Sequence, residues 1–323
     1  MARLSTRWIF SILLALVTTT AAAQSYPNKP IRIIVPYPPG GGADMTARPI
    51  AQMLSERWGQ PVIIENRGGA SGMIGAEMVA KAPPDGYTLM VSASAEVALD
   101  AALYPKIPYD PIHDFAPITL ATVTPMALVV HPSVPVTSLK EYIAYARAKP
   151  GSMIFGSVGT GSVHHFAGEW LKMLAKVDIV HVPYKGSGPL MVDLLGGHAL
   201  SGFATLLPAM QYLKTGKLRA LAVTTGKRVP LLPDVPAIAE TLPGFDITQW
   251  NAVWAPAGTP KDVLDKLSKE IIRIVQSADY KARMSEQGSE AVGGTPSELA
   301  AFQKAEIEKY HKIAQQANIR ADQ

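Results

Sequence analysis

Twice in this chain a short apolar run breaks into a glycine-rich loop and then into a helix-like stretch. "IRIIV" (Ile31 to Val35) leads into "PYPPGGGAD", and "MIF" (Met153 to Phe155) leads into "GSVGTGS". A strand followed directly by a helix is half of a βαβ unit, whose parallel sheet carries helices on its faces. Glycine at the strand end bares the backbone, and the helix that follows opens with N–H groups that no carbonyl reaches. Together with the helix dipole, those groups make a site for an anion. One such loop alone is more readily read as a tight turn. A matched pair, each at the carboxyl end of a strand, points to ligand binding.

The rest of the chain fits the same plan. "ADMTARPIAQMLSERWG" predicts a helix over 43–59, with Asp44 in its first turn and Pro49 marking a kink or a late start. "PVIIENR" and "DGYTLMVSAS" read as strands, and "GGASGMIG" as a flexible turn between strand and helix. Ser138 with Glu141 caps a helix that Pro150-Gly151 stops, and Thr295-Pro296 with Glu298 caps the last one. Thr259-Pro260 opens the helix between them. The pattern divides the mature chain into two α/β units, 24–126 plus 250–323 and 127–249. The chain crosses twice between them, which makes a hinge and a cleft.

The first 23 residues stand apart. Arg3 and Arg7, an apolar stretch from Trp8 to Val17 and "AAA" are the three parts of a secretory leader, with cleavage expected after Ala23. The apolar stretch is roughly half the ~20 residues a membrane span needs. The leader carries two of the 30 basic residues and none of the 26 acids. What remains is nearly balanced, with no basic run, so nucleic acid is not an expected partner. There is no cysteine, which excludes disulfides and thiol chemistry. An exported, soluble, monomeric protein is expected.

Nucleotide and catalytic signatures are missing. "GSVGTG" lacks the G-x-G-x-x-G order, "TTGKR" lacks the upstream glycine of a P-loop, and "GGASGM" is no nucleophile elbow. His164 and His165 are adjacent, so on a helix they point in different directions and cannot easily share one ion. The expectation is one histidine at the cleft and the other packed or exposed. No catalytic residue, metal or cofactor is expected. Tyr37, Tyr184, Trp250 and Trp254 lie near strand ends, where core packing is the default for an aromatic ring. Tyr37 and Tyr184 directly follow strands and precede loops, which favours them as cleft walls, and Trp250 is a further candidate to pack on the ligand.

Long stretches resemble a known family in order along almost the whole mature chain: "IVPYPPGGGAD", "PVIIENRGGASGMIGAE", "PPDGYTLM", "HVPYKGSGP", "GKLRALAVTTGKRVPLLPDVP" and "APAGTP". They are similar to the Bug-type extracytoplasmic receptors of tripartite tricarboxylate transporters. The resemblance implies an α/β periplasmic-binding-protein fold of the Venus flytrap, type II-like kind. Each domain would be a mostly parallel sheet flanked by helices, with a small carboxylate held in the interdomain cleft. It implies periplasmic localisation and membrane permease subunits as partners. By position, it puts Pro39, Gly41, Gly42, Ala43 and Asp44 in one arm of a pincer and Gly159, Thr160, Gly161 and Ser162 in the other. Asp44 would read a water or a donor on the ligand.

The chain departs from that family beside Ser94, where Glu96 stands in place of a small residue. It departs again at Ala204-Thr205, where a polar pair is usual, and at His164. Glu96 could face an ammonium or ring nitrogen of the ligand, or simply face solvent. The ligand could be a di- or tricarboxylate, an aromatic acid or an amino acid. A periplasmic sensor presenting its closed form to a signalling partner would have the same sequence. A hydrolase or lyase of this shape would need a nucleophile, a base and an orienting group, which the two loops do not supply.

Overall fold

The structure is a computed structural model that describes residues 26–320. The leader and its cleavage after Ala23 lie outside the described residues. The chain begins with β1 (Ile31–Val35), α1 (Gly42–Trp58), β2 (Val62–Asn66), α2 (Met73–Ala80) and β3 (Thr88–Ala93). A π-wound turn (Ala95–Leu99) then runs straight into the short α3 (Asp100–Leu103), and β4 (Phe115–Thr124) follows. Next come β5 (Met126–Val130), α4 (Leu139–Ala148), β6 (Ile154–Ser157), α5 (Val163–Ala175), β7 (Val180–Pro183), α6 (Ser187–Gly196), β8 (Ser201–Thr205), α7 (Leu206–Lys214) and β9 (Arg219–Val223). The chain closes with β10 (Gln249–Pro256), α8 (Lys261–Val275), α9 (Ala278–Glu286), β11 (Glu290–Ala291) and α10 (Pro296–Ala317).

Two sheets result, and their strand orders repeat. The first runs β2-β1-β3-β10-β4-β11 and the second β7-β6-β8-β5-β9. In each, one strand is inserted that has just crossed from the other sheet: β10 in the first, β5 in the second. The inserted strands are antiparallel to both neighbours, whereas β1 pairs parallel with β2 and β3, and β6 with β7 and β8. The sheets are therefore mixed. The expectation of mostly parallel sheets missed the crossing strands, because a strand's direction in a sheet depends on where the chain last was. The two-sheet α/β fold with helices on its faces is the expected one.

Local signals work out as follows. α1 buries Ala43, Ala47, Ile50, Ala51 and Leu54, the spacing of one helix face, and Gly59 ends it with φ 65°. It starts before Pro49, so there is no late start, and the proline is buried within the helix. The Ser138 hydroxyl accepts from the Glu141 N–H at the start of α4, and Thr295 and Glu298 form a full capping box on α10. At α8 the Thr259 hydroxyl instead donates to the Pro256 carbonyl at 2.7 Å, and Pro260 takes the cap position.

One hydrophobic core runs through both sheets, including Met90, Met126, Phe155, Phe166, Trp250 and Tyr310. α10 ties it together. The Tyr310 ring meets Phe166 of α5 edge-on at 5.0 Å, Gln303 donates to the Val97 and Pro111 carbonyls, and Lys309 donates to the Asp246 carbonyl at 2.6 Å.

Candidate ligand-binding site

The first glycine loop joins β1 to α1. Pro39, Gly41 and Gly42 are exposed, while Ala43 and Asp44 are buried. The first helical bond is Met45 N–H to the Gly41 carbonyl, so the N–H groups of Gly42, Ala43 and Asp44 have no carbonyl behind them. Asp44 is placed otherwise than expected. Its oxygens accept from Gly40 N–H at 2.8 Å, from Arg48 at 2.8 and 2.9 Å, and from Asn66 Nδ2 at 3.0 Å. Burial pushes this carboxyl up, but the Arg48, Gly40 and Asn66 hydrogen bonds together hold it below the usual carboxylate range. Its bonding is thus taken up in shaping the loop, because a charge buried this deeply requires partners.

The second loop joins β6 to α5. Gly159, Thr160, Gly161 and Ser162 are all half-buried. Ser162 caps the helix by accepting from His165 N–H, and its hydroxyl donates to the Gly159 carbonyl at 2.7 Å. The N–H groups of Val163 and His164 are left at the open helix end. Below the loop, the His165 ring stacks on His181 at 3.7 Å, and its Nδ1 accepts from Gly161 N–H at 3.1 Å. Burial, helped by the His181 ring, lowers the His165 pKa to about 3, so a neutral acceptor is in place at ordinary pH. His164 is buried too, with Nε2 at 3.4 Å from the Thr205 hydroxyl. Neither histidine is exposed, contrary to one expected arrangement. Tyr184, at the end of β7, is half-buried and donates to Asp193 at 2.9 Å.

The π-turn and α3 bridge the two loops. Ser94, buried at the end of β3, precedes them. Glu96 is wholly buried and accepts from the Tyr37 hydroxyl at 2.6 Å and from Ala93 N–H at 2.9 Å. It therefore neither faces solvent nor offers a free carboxylate to an ammonium. At the other end, Leu103 lies so close to Gly161 that a Cβ there would stand 2.9 Å from its Cδ1. Gly161 also has φ +75°, a conformation that favours glycine whatever the space.

Burial pushes Glu96 up to about 8 and Asp100, in the same bridging segment, up to about 7. A folded-state pKa above the ordinary 4.5 means Glu96 binds its proton more tightly when folded. Its stabilising contribution is then full below pH 4.5 and is lost as pH rises through about 8. The melting temperature should fall between pH 5 and pH 9, and less steeply in Glu96→Gln. A variant as steep as the parent would show that Glu96 is not the titrating group.

Trp250 departs from the expectation that it lines the cleft. It is 1% exposed, packs on Phe302 of α10 with ring centroids 5.2 Å apart, and donates to Glu306 at 3.1 Å. Successive residues of a strand face opposite ways. Its neighbour Asn251 therefore reaches the first loop: its Nδ2 donates to the Thr122 hydroxyl at 3.0 Å and stands 4.0 Å from where a Gly42 Cβ would be. Asn251, Asn66, Ser71 and Asp100 were not identified from the sequence. The "ENRGGASG" run, a glycine-rich turn after a strand, was the available signal for two of them.

Comparison with known proteins identifies the family. The model of the tripartite tricarboxylate transporter family receptor matches residues 46–319. Protein BugT of Bordetella pertussis is 36% identical over 302 residues, 93% of each chain. An R. palustris protein solved with adipate is 38% identical with a TM-score of 0.76, over 91% of this chain and 99% of that one. The periplasmic binding protein BugD is 33% identical with a TM-score of 0.73, over 92% and 100%. MatC from Rhodopseudomonas palustris, with bound malate, is 32% identical with a TM-score of 0.72, over 89% and 99%. The family match spans most of the chain, and the solved relatives share both sheets at more than 30% identity. This chain therefore belongs to the receptor family of the tripartite tricarboxylate transporters, and it is a binding protein rather than an enzyme.

Proposed function

We propose that this receptor captures a small dicarboxylate in the periplasm, between its two glycine-rich loops, and delivers it to the permease subunits of a tripartite tricarboxylate transporter. The observation that carries this is the pair of open helix ends, α1 and α5, one on each sheet and joined by the segment from Glu96 to Leu103. Each end suits one carboxylate. The units 24–126 plus 250–323 and 127–249 would act as the two jaws. The leader would place the protein outside the cytoplasm, and the relatives with adipate and malate support a diacid.

Magnitudes favour two anchoring points. Micromolar binding needs about 8 kcal/mol. A helix end gives roughly 0.3–1 kcal/mol, up to ~2 when partly buried. Charge-assisted hydrogen bonds give about 1.5–3 each. One carboxylate on one loop is marginal once the entropy of binding is charged against it, and two are sufficient.

A thermal-shift screen of the mature protein against mono-, di- and tricarboxylates, aromatic acids and amino acids tests this. Diacids should raise the melting temperature, and monocarboxylates of equal length should not. A screen in which only monocarboxylates shift the protein would refute the two-anchor reading.

A further inference from the structure

Asp100 is 1% exposed, and neither of its carboxylate oxygens has a partner at full hydrogen-bond geometry, although the Ser71 hydroxyl comes close enough to favour its charged form. The Ser71 hydroxyl is the polar group beside it. Its neighbour Glu96, four positions earlier, is satisfied by Tyr37 and Ala93. The Tyr109 hydroxyl, also close by, is occupied with the Glu96 backbone carbonyl at 2.7 Å. Of this acidic pair, Asp100 is the one with a well-formed hydrogen bond to neither oxygen. A buried polar group without a partner is costly and rare in a folded protein, which makes it a pointer to something that binds there.

Its position is specific. Glu96, Asp100 and Leu103 follow one another along one side of the bridging segment. Glu96 touches Tyr37 next to the first loop, and Leu103 touches Gly161 of the second. Asp100 thus lies between the two arms. The segment is wound as a π-turn just before it, an irregularity common at functional sites.

The turn that carries Ser71 is strained. Ala70 has φ 47° and Ser71 φ 56°, ψ 24°, both left-handed, and the turn is closed by Gly72 N–H to the Gly69 carbonyl at 3.0 Å. Glycine would relieve that strain at either position. Keeping a serine at 71 keeps a hydroxyl beside Asp100, and strained non-glycine residues gather at ligand clamps. The residue just before this turn packs on the first loop: a Cβ at Gly68 would stand 3.2 Å from Pro38 Cδ.

We infer that Asp100 and Ser71 form a subsite for a hydrogen-bond donor on the carbon chain of the ligand, so that the receptor prefers a dicarboxylate carrying an ammonium or a hydroxyl group to the plain diacid. This rests on the diacid-capture reading above. Ammonium and hydroxyl supply the same donor chemistry, and matched ligands separate them.

The test is calorimetric titration of the mature protein with succinate, malate and aspartate, and with adipate and 2-aminoadipate. Within each set the acids differ only in the substituent. A hydrogen bond to a charged group corresponds to about tenfold or more in affinity. The substituted acid of the better-fitting length should bind at least tenfold more tightly than its plain parent. A larger gain with aspartate than with malate assigns an ammonium, and the reverse a hydroxyl. Asp100→Leu, which removes the acceptor, should bring the ratio close to one. Asp100→Asn serves as the second variant, and it should lose the preference for an ammonium more than that for a hydroxyl.

The wild-type titration alone can overturn the inference, if plain diacids bind as tightly as their substituted partners. So can a preference that survives Asp100→Leu. Binding of none of the five acids would overturn the diacid reading and this inference together, whereas tight binding of the plain diacids alone would overturn only this one.

Discussion

Trp250→Ala should lower the stability of the unliganded protein by about 3–5 kcal/mol, the range for truncating a large buried aromatic side chain. In a chain of this size that is a drop in melting temperature on the order of 10 °C. The cause is packing. The indole fills the space between β10 and α10, meets Phe302 edge-on and donates to Glu306. Truncation leaves a cavity where α10 joins the two sheets. It also removes the indole hydrogen bond from Glu306, which is only 5% exposed. The variant, assayed well below its melting temperature, should still show ligand-induced stabilisation, because the ring faces α10 and not the loops. The opposite pattern, near-normal stability with binding lost, would mean that Trp250 touches the ligand. Chemical denaturation with and without a diacid distinguishes the two.

Gly41→Val should do the reverse: leave the fold standing and reduce diacid affinity by about a hundredfold, the equivalent of one or two charge-assisted hydrogen bonds. Gly41 has φ −77° and ψ 170°, an extended conformation open to any residue, and a Cβ there meets only the Pro38 carbonyl at an ordinary 3.7 Å. The melting temperature without ligand should move little. The added methyl groups, however, would stand over the open N–H groups of the first turn of α1, where a carboxylate must come within about 3 Å to bond. A variant with undiminished ligand-induced thermal shifts would remove the first loop from the site.

These two residues also mark how far the sequence could be read. The glycine loop was legible because its meaning is local: a strand pattern, glycines and a helix start within a few positions. Trp250 was misplaced because its neighbourhood is not local. Whether Trp250 or Asn251 looks toward the first loop depends on which face of β10 meets α10, and Asn251 finds Thr122 at a separation of 129 residues. Asp44 was visible as an acid in a first turn. That its carboxylate is occupied by Asn66 depends on a contact 22 residues away. Glu96 stood out as unusual, but its burial against Tyr37, 59 residues earlier, did not.

By itself the sequence determined the alternation of strands and helices, the two anion-ready helix ends, the caps of α4 and α10, and through its motifs the resemblance to the receptor family. All of these rest on periodicity and turn chemistry that a few neighbouring residues carry. Only the tertiary structure decided the direction of the crossing strands, the inward commitment of Asp44, Glu96 and Trp250, and the position of Asp100 between the loops. Those depend on desolvation and on partners brought together from distant parts of the chain, and a carboxylate's role is set by who its neighbours are once water has been excluded.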